Sequence, residues 1–172
     1  MRLDDNDFVL FDLPLRYAQQ RSELDARWKA LQAEVHPDRF AAEGGAAQRV
    51  AMQWAIRVNE AYQRLKDPLK RAAYLCELHG TPIGAETNTG MPAAFLMQQM
   101  EWREGLDEAR TLPQIERIAD EVAERQRSLQ TELGTLIDER QDWAAAAAQV
   151  RALMFVARFA ADVDRKLEAA GG

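Results

Sequence analysis

The residues able to do chemistry are few. His36 and Asp38 flank Pro37, His79 is the second of two histidines, and Cys76 is the single cysteine. An imidazole next to a carboxylate could be the start of a metal site. Two ligands with no Cys, His or carboxylate cluster nearby make a weak metal site, and a hydrolase built on them has almost no support. One cysteine excludes an intramolecular disulfide and any multi-cysteine metal site. His79 precedes Gly80 at a helix end, where its charge suits the dipole. His36-Pro37-Asp38 has a plain structural reading, a turn in which proline stops one helix and aspartate caps the next. It also has a reading as a contact point. Pro37 fixes φ and removes a donor, which stiffens the loop. Ionised Asp38 only accepts hydrogen bonds and suits an arginine of a partner. Taken alone, these residues leave the plain turn as a strong reading, and no cofactor and no metal are expected.

The elements that must present this tripeptide are helical. No segment shows a convincing period of two with β-branched enrichment, whereas most of the chain shows helical spacing. Phe8, Leu10, Phe11 and Leu13 form a short apolar patch stopped by Pro14. Leu24, Trp28, Leu31 and Val35 make one helix face, with Ser22 as its expected cap and Pro37 as its end. A second helix starts after Gly44-Gly45, with a stripe of Val50, Trp54, Val58, Ala61, Tyr62 and Leu65. Trp28, Trp54 and Tyr62 are expected in the core. Asp67 is expected to cap a short helix from Pro68 to His79, and Cys76 reads as a small buried hydrophobe.

Gly80 to Pro92 holds glycine, proline, threonine and asparagine and reads as a linker. Three helical segments follow, from about Pro92, Pro113 and Asp142. The fold class expected is all-α, with a helical hairpin over 1–79, a linker over 80–91 and a three-helix bundle over 92–172.

The first helix of that bundle has two faces. At about 100° per residue, Leu96, Met97, Met100, Glu101, Glu104 and Glu108 share one arc, and Phe95, Trp102, Leu106 and Ala109 share another. The aromatic face should pack on the other two helices. The Leu/Met face, fringed by glutamates, is then left over, and methionine recurs on binding surfaces. The bland reading is that this face is also core or a dimer contact.

The order of these parts resembles a J-domain. The entry patch, an amphipathic helix with Arg27 and Lys29 off its stripe, His36-Pro37-Asp38, Arg39-Phe40, Val58-Asn59-Glu60-Ala61-Tyr62, Asp67-Pro68, Arg71 and Tyr74 all fall in place. The second part narrows the family. Neither a Gly/Phe-rich segment nor a zinc-binding Cys module follows. Instead comes Ala94-Phe95-Leu96-Met97-Gln98-Gln99-Met100-Glu101-Trp102-Arg103-Glu104. Over nearly the entire chain this is similar to the HscB-type J-domain co-chaperones of iron–sulfur cluster assembly, bacterial in type.

The resemblance implies that the hairpin docks on an HscA-type chaperone ATPase through His36, Pro37 and Asp38, with Arg27, Lys29 and Arg39 as steering cations. ATP hydrolysis then occurs in the partner, so the chain is not an enzyme. It further implies that Leu96, Met97, Met100, Glu101, Glu104 and Glu108, with Phe155 from the last helix, bind an IscU-type scaffold protein. Two positions depart from the pattern. Asp12 stands where J-domains usually have glycine, and Gly105 interrupts the scaffold helix at a cost of about 1 kcal/mol relative to alanine. The alternatives are a J-domain adaptor for another client and a non-catalytic helical dimerisation module.

Charge agrees with protein partners. Residues 1–80 hold 12 Lys+Arg and 12 Asp+Glu, so the whole net charge of −6 lies in the remainder, with 10 and 16. Such a chain is a poor general nucleic-acid binder. It has no uninterrupted apolar run long enough to span a bilayer and an acidic start without a signal pattern. The expectation is a cytoplasmic protein that binds neither nucleic acid nor membrane.

Overall fold

A computed structural model describes residues 1–84 and 91–171, and among them only helices and turns occur. The stretch 85–90, the middle of the expected linker, lies outside the described residues. The chain divides into two compact units, Met1–Leu75 and Cys76–Gly172. The division falls inside the helix Pro68–Leu78, a few residues before the boundary read from the sequence.

In the first unit, α1 (Asp7–Leu10) is a single turn capped by Asn6, whose side chain accepts from Val9 N at 3.0 Å. It buries Phe8, Leu10 and Phe11. Next come α2 (Arg21–Val35), a 3-10 turn over Pro37–Glu43, α3 (Gly45–Lys66) and α4 (Pro68–Leu78). Rising numbers on α2 meet falling numbers on α3, so the two form an antiparallel hairpin. Trp28 stacks on Tyr62 at 4.4 Å, and Trp28 Nε1 and Gln32 Nε2 both donate to Asn59 Oδ1 at 3.0 and 2.8 Å. Asp67 Oδ1 accepts from Leu69 N at 2.9 Å, the cap expected for α4.

Four expectations need correction here. Gln20, not Ser22, precedes the first turn of α2 and makes no side-chain cap. Trp28 and Trp54 are half-buried rather than core. Trp28 keeps its N–H on a surface asparagine, as indole does when one edge stays wet. Val50 is 51% exposed, because the 3-10 turn rather than α2 lies opposite the start of α3. The expected loop after α2 is itself mostly 3-10 helix.

In the second unit, α5 (Ala93–Glu108), α6 (Leu112–Gly134) and α7 (Trp143–Gly171) pack together, and α6 runs on into a π-helical turn, Thr135–Glu139. Thr111 opens α6 with a reciprocal capping box to Gln114, and Asp142 Oδ1 accepts from Ala145 N at 3.1 Å at the start of α7. Contacts between α5 and α7 rise together, from Trp102–Phe159 to Arg103–Asp162 and Leu106–Lys166, so these helices are parallel and α6 runs against both. The core is Phe95, Trp102, Leu106, Ile115, Val122, Leu129, Leu133, Val150, Leu153, Val156 and Phe159. By length and mean hydropathy α7 is apolar enough to cross a membrane. Its apolar residues at three- and four-residue spacing are instead buried in this bundle.

Candidate functional site

His36 is where α2 stops. Its ψ of 130° is extended, as the residue before a proline requires, and Pro37 takes the first position of the 3-10 turn. Asp38 does not cap that turn through its own side chain. His36 Nδ1 accepts from Asp38 N at 3.2 Å, and Arg39 N donates to the His36 carbonyl at 3.0 Å. Nδ1 thus serves as the acceptor that closes the turn. The His36 and Asp38 side chains are 61% and 94% exposed, 3.8 Å apart at their nearest polar atoms. The loop fixes its backbone by local bonds and leaves both functional groups in solvent.

The three cations differ. Lys29 and Arg39 are exposed and have no ion-pair partner among the described residues. Arg27 is engaged: its guanidinium lies 3.3 Å from Asp12 Oδ2 and 3.8 Å from Glu23 Oε1. Asp12 has φ +51°, the left-handed region that glycine adopts most easily and that aspartate tolerates better than most side chains. Further along α2, Asp25 Oδ1 accepts from the Tyr62 hydroxyl at 2.7 Å and from Arg21 Nε at 2.9 Å. The tyrosine first, and the arginine second, hold the Asp25 carboxyl below its ordinary range.

Sequence reasoning missed what anchors the hairpin. Asp7 is fully buried between Arg57, at 2.9 Å, and Arg64, at 2.6 Å. Its N–H donates to the Tyr74 hydroxyl at 3.0 Å. The signal was present: Arg57 and Arg64 are seven apart, on one face of α3, and Asp7 sits directly before an apolar run. Arg71, also buried, donates to the carbonyls of Tyr17 and Leu65, tying α4 to the end of α3.

On α5 the two arcs separate in space. Phe95, Trp102, Leu106 and Ala109 are buried, and Trp102 stacks on Phe159 at 5.6 Å. Leu96, Met97 and Met100 are 48%, 62% and 70% exposed, and Glu101, Glu104 and Glu108 are exposed beside them. Phe155, on α7, is half-buried. Gly105 does not break α5. A Cβ there would meet Ile118 Cδ1 at an ordinary 3.7 Å. No three His, Cys, Asp or Glu side chains come together among the described residues.

A helical hairpin that ends in an exposed His-Pro-Asp loop, followed in the same chain by a helical bundle with an exposed Leu/Met face, is the architecture of a J-type co-chaperone. Comparison with known proteins narrows the class. Residues 91–164 match the family model described as the HSCB C-terminal oligomerisation domain. The chain is 50% identical to the Co-chaperone protein HscB homolog of Burkholderia thailandensis, over 96% of both chains. It superposes on the chaperone HscB from Vibrio cholerae with TM-score 0.83 at 34% identity, over 96% of this chain and 99% of that one. The human co-chaperone HscB gives TM-score 0.91 at 26% identity, over 96% and 84%. The chain belongs to the HscB family of co-chaperones.

Proposed function

We propose that this co-chaperone serves iron–sulfur cluster assembly by carrying an IscU-type scaffold protein to an HscA-type chaperone and stimulating that chaperone's ATPase. The observation that carries the reading is the exposure of Leu96, Met97 and Met100 on a helix whose opposite face already completes a core. An apolar patch of this kind marks an interaction site. Residues 92–172 are assigned the scaffold, through Leu96, Met97, Met100 and Phe155 as apolar anchors and Glu101, Glu104 and Glu108 as the charged rim. Residues 1–79 are assigned the chaperone. His36, Pro37 and Asp38 make the specific contact, and Lys29 and Arg39 steer association more than Arg27, which Asp12 holds. The chain itself hydrolyses nothing and works in the cytoplasm.

The test is a pair of opposed variants. Replacing Leu96, Met100 and Phe155 by alanine is expected to weaken scaffold binding by several kcal/mol, since apolar anchors at an interface centre cost about 2 kcal/mol or more each, while the melting temperature falls far less than in Trp102→Ala, because Leu96 and Met100 are exposed and Phe155 is half-buried. Trp102→Ala is expected to destabilise the fold by roughly 3–5 kcal/mol, the usual cost of truncating a buried aromatic. Early melting with normal scaffold binding in the triple variant would sink the reading. The description of the matched family as an oligomerisation domain favours a second reading, self-association through the same face. Sedimentation equilibrium of the wild type and the triple variant separates the two.

A further inference from the structure

The second half of the chain is net acidic, yet three guanidinium groups gather at one cleft between α5 and α7. The cleft is lined by Gln99, Arg103, Phe155, Arg158, Asp162 and Arg165, with Phe159 at its base. Asp162 is the one carboxylate in that lining. It pairs with Arg103 at 2.8 Å and also with Arg165. Arg158 is exposed, its guanidinium 5.4 Å from the centre of the Phe155 ring, and no carboxylate among the described residues pairs with it. Gln99 Nε2 is buried and has no acceptor among the described residues. The cleft therefore has two excess positive charges and a donor that lacks a partner. A carboxylate answers both, since it carries negative charge and only accepts.

Its position gives the cleft a role. Around α5, at about 100° per residue, Gln99 and Arg103 flank Leu96 on the edge opposite Glu101, Glu104 and Glu108. The exposed strip, which also carries Asp107 between Leu96 and Met100, thus has the glutamates toward one edge and Arg103 and Gln99, with Arg158 and Arg165 of α7 across the cleft, toward the other. We infer that the cleft receives an aspartate or glutamate side chain of the scaffold, with Arg158 as its main cation and Gln99 as a donor. The inference rests on the scaffold reading of the Leu96/Met100 face. A scaffold docked there must bring basic groups to the glutamates and an acid to the arginines. Turned by half a turn, it would meet like charges at both edges. The arginine edge fixes the orientation of docking, which the apolar anchors alone do not.

The test uses the full chain and the scaffold, with affinity measured by calorimetry at low and high salt. Leu96→Ala reports on the face itself and is expected to weaken binding at both salt concentrations. Arg158→Met keeps a long side chain over Phe155 and removes the charge. It is expected to weaken binding about tenfold at low salt, with the deficit shrinking at high salt. Arg158→Glu is expected to weaken it further. One Asp→Lys or Glu→Lys variant of the scaffold is expected to restore binding to Arg158→Glu and to impair binding to the wild type. If Leu96→Ala binds weakly while both Arg158 variants bind like the wild type, the cleft inference is overturned and the scaffold reading stands. If Leu96→Ala binds like the wild type, the scaffold reading falls and the inference with it.

Discussion

At the scale of residues, the His-Pro-Asp loop separates function from stability. His36 and Asp38 are exposed, and the one bond their side chains make within the loop is His36 Nδ1 to Asp38 N. His36→Gln and Asp38→Asn are therefore expected to abolish stimulation of the chaperone ATPase. Each should cost the fold less than about 1 kcal/mol, the worth of one exposed hydrogen bond. ATP turnover and a thermal melt of each variant check this. Cys76 behaves in the opposite way. It is fully buried, and burial pushes its thiol from an ordinary 9.0 up to about 11. The native thiol stays protonated where the unfolded one ionises, so the unfolded state gains as pH rises. Stability is expected to be level in this respect below pH 9.0 and to fall between there and about 11. At neutral pH, alkylation of Cys76 should follow unfolding. A Cys76→Ala control isolates the thiol's part in a pH series of melts.

At the scale of elements, α5 carries both a core face and a binding face, so its stability bears on its function. Gly105 sits within the helix, and a Cβ there would meet only Ile118 at contact distance. Gly105→Ala is expected to stabilise the fold by about 0.5–1 kcal/mol, because alanine has the higher helix propensity and a smaller unfolded ensemble. Denaturant unfolding measures it, and scaffold affinity should stay unchanged. The hairpin shows the same economy. Asp7, Arg57, Arg64 and Arg71 join α1, α3 and α4 by buried polar bonds. The outer end of α2 and the 3-10 turn are left without such ties, which frees the loop for a partner.

At the scale of the whole molecule, the proposed function requires one chain to hold both partners. The gain is effective concentration rather than catalysis. Full-length His36→Gln and full-length Leu96/Met100/Phe155→Ala each keep one competent end. A mixture of the two is expected to stimulate the chaperone with scaffold no better than the triple variant alone. Full complementation by the mixture would mean that the ends act in trans, as in an oligomer. Steady-state ATP turnover with and without scaffold distinguishes these outcomes.

Much of this protein was legible in one dimension. Helical spacing, proline and glycine stops and the cap at Asp67 are local, so the sequence alone determined the all-α class and nearly every helix. The two-faced reading of α5 was legible for the same reason: angular position around a helix follows from residue number. What the tertiary structure decided was which neighbour each face meets. Trp28 and Trp54 lie on apolar stripes yet stay half-buried: Trp28 keeps one edge on the surface residue Asn59, and Trp54 belongs to the part of α3 that meets the 3-10 turn. The pairing of Asp7 with Arg57 and Arg64, the hold of Asp12 on Arg27, and the meeting of Arg103, Arg158 and Arg165 at one cleft all join residues far apart in the chain. No local period encodes such a distance. It is set by how the helices pack, and with it which charges are already paired and which are left for a partner.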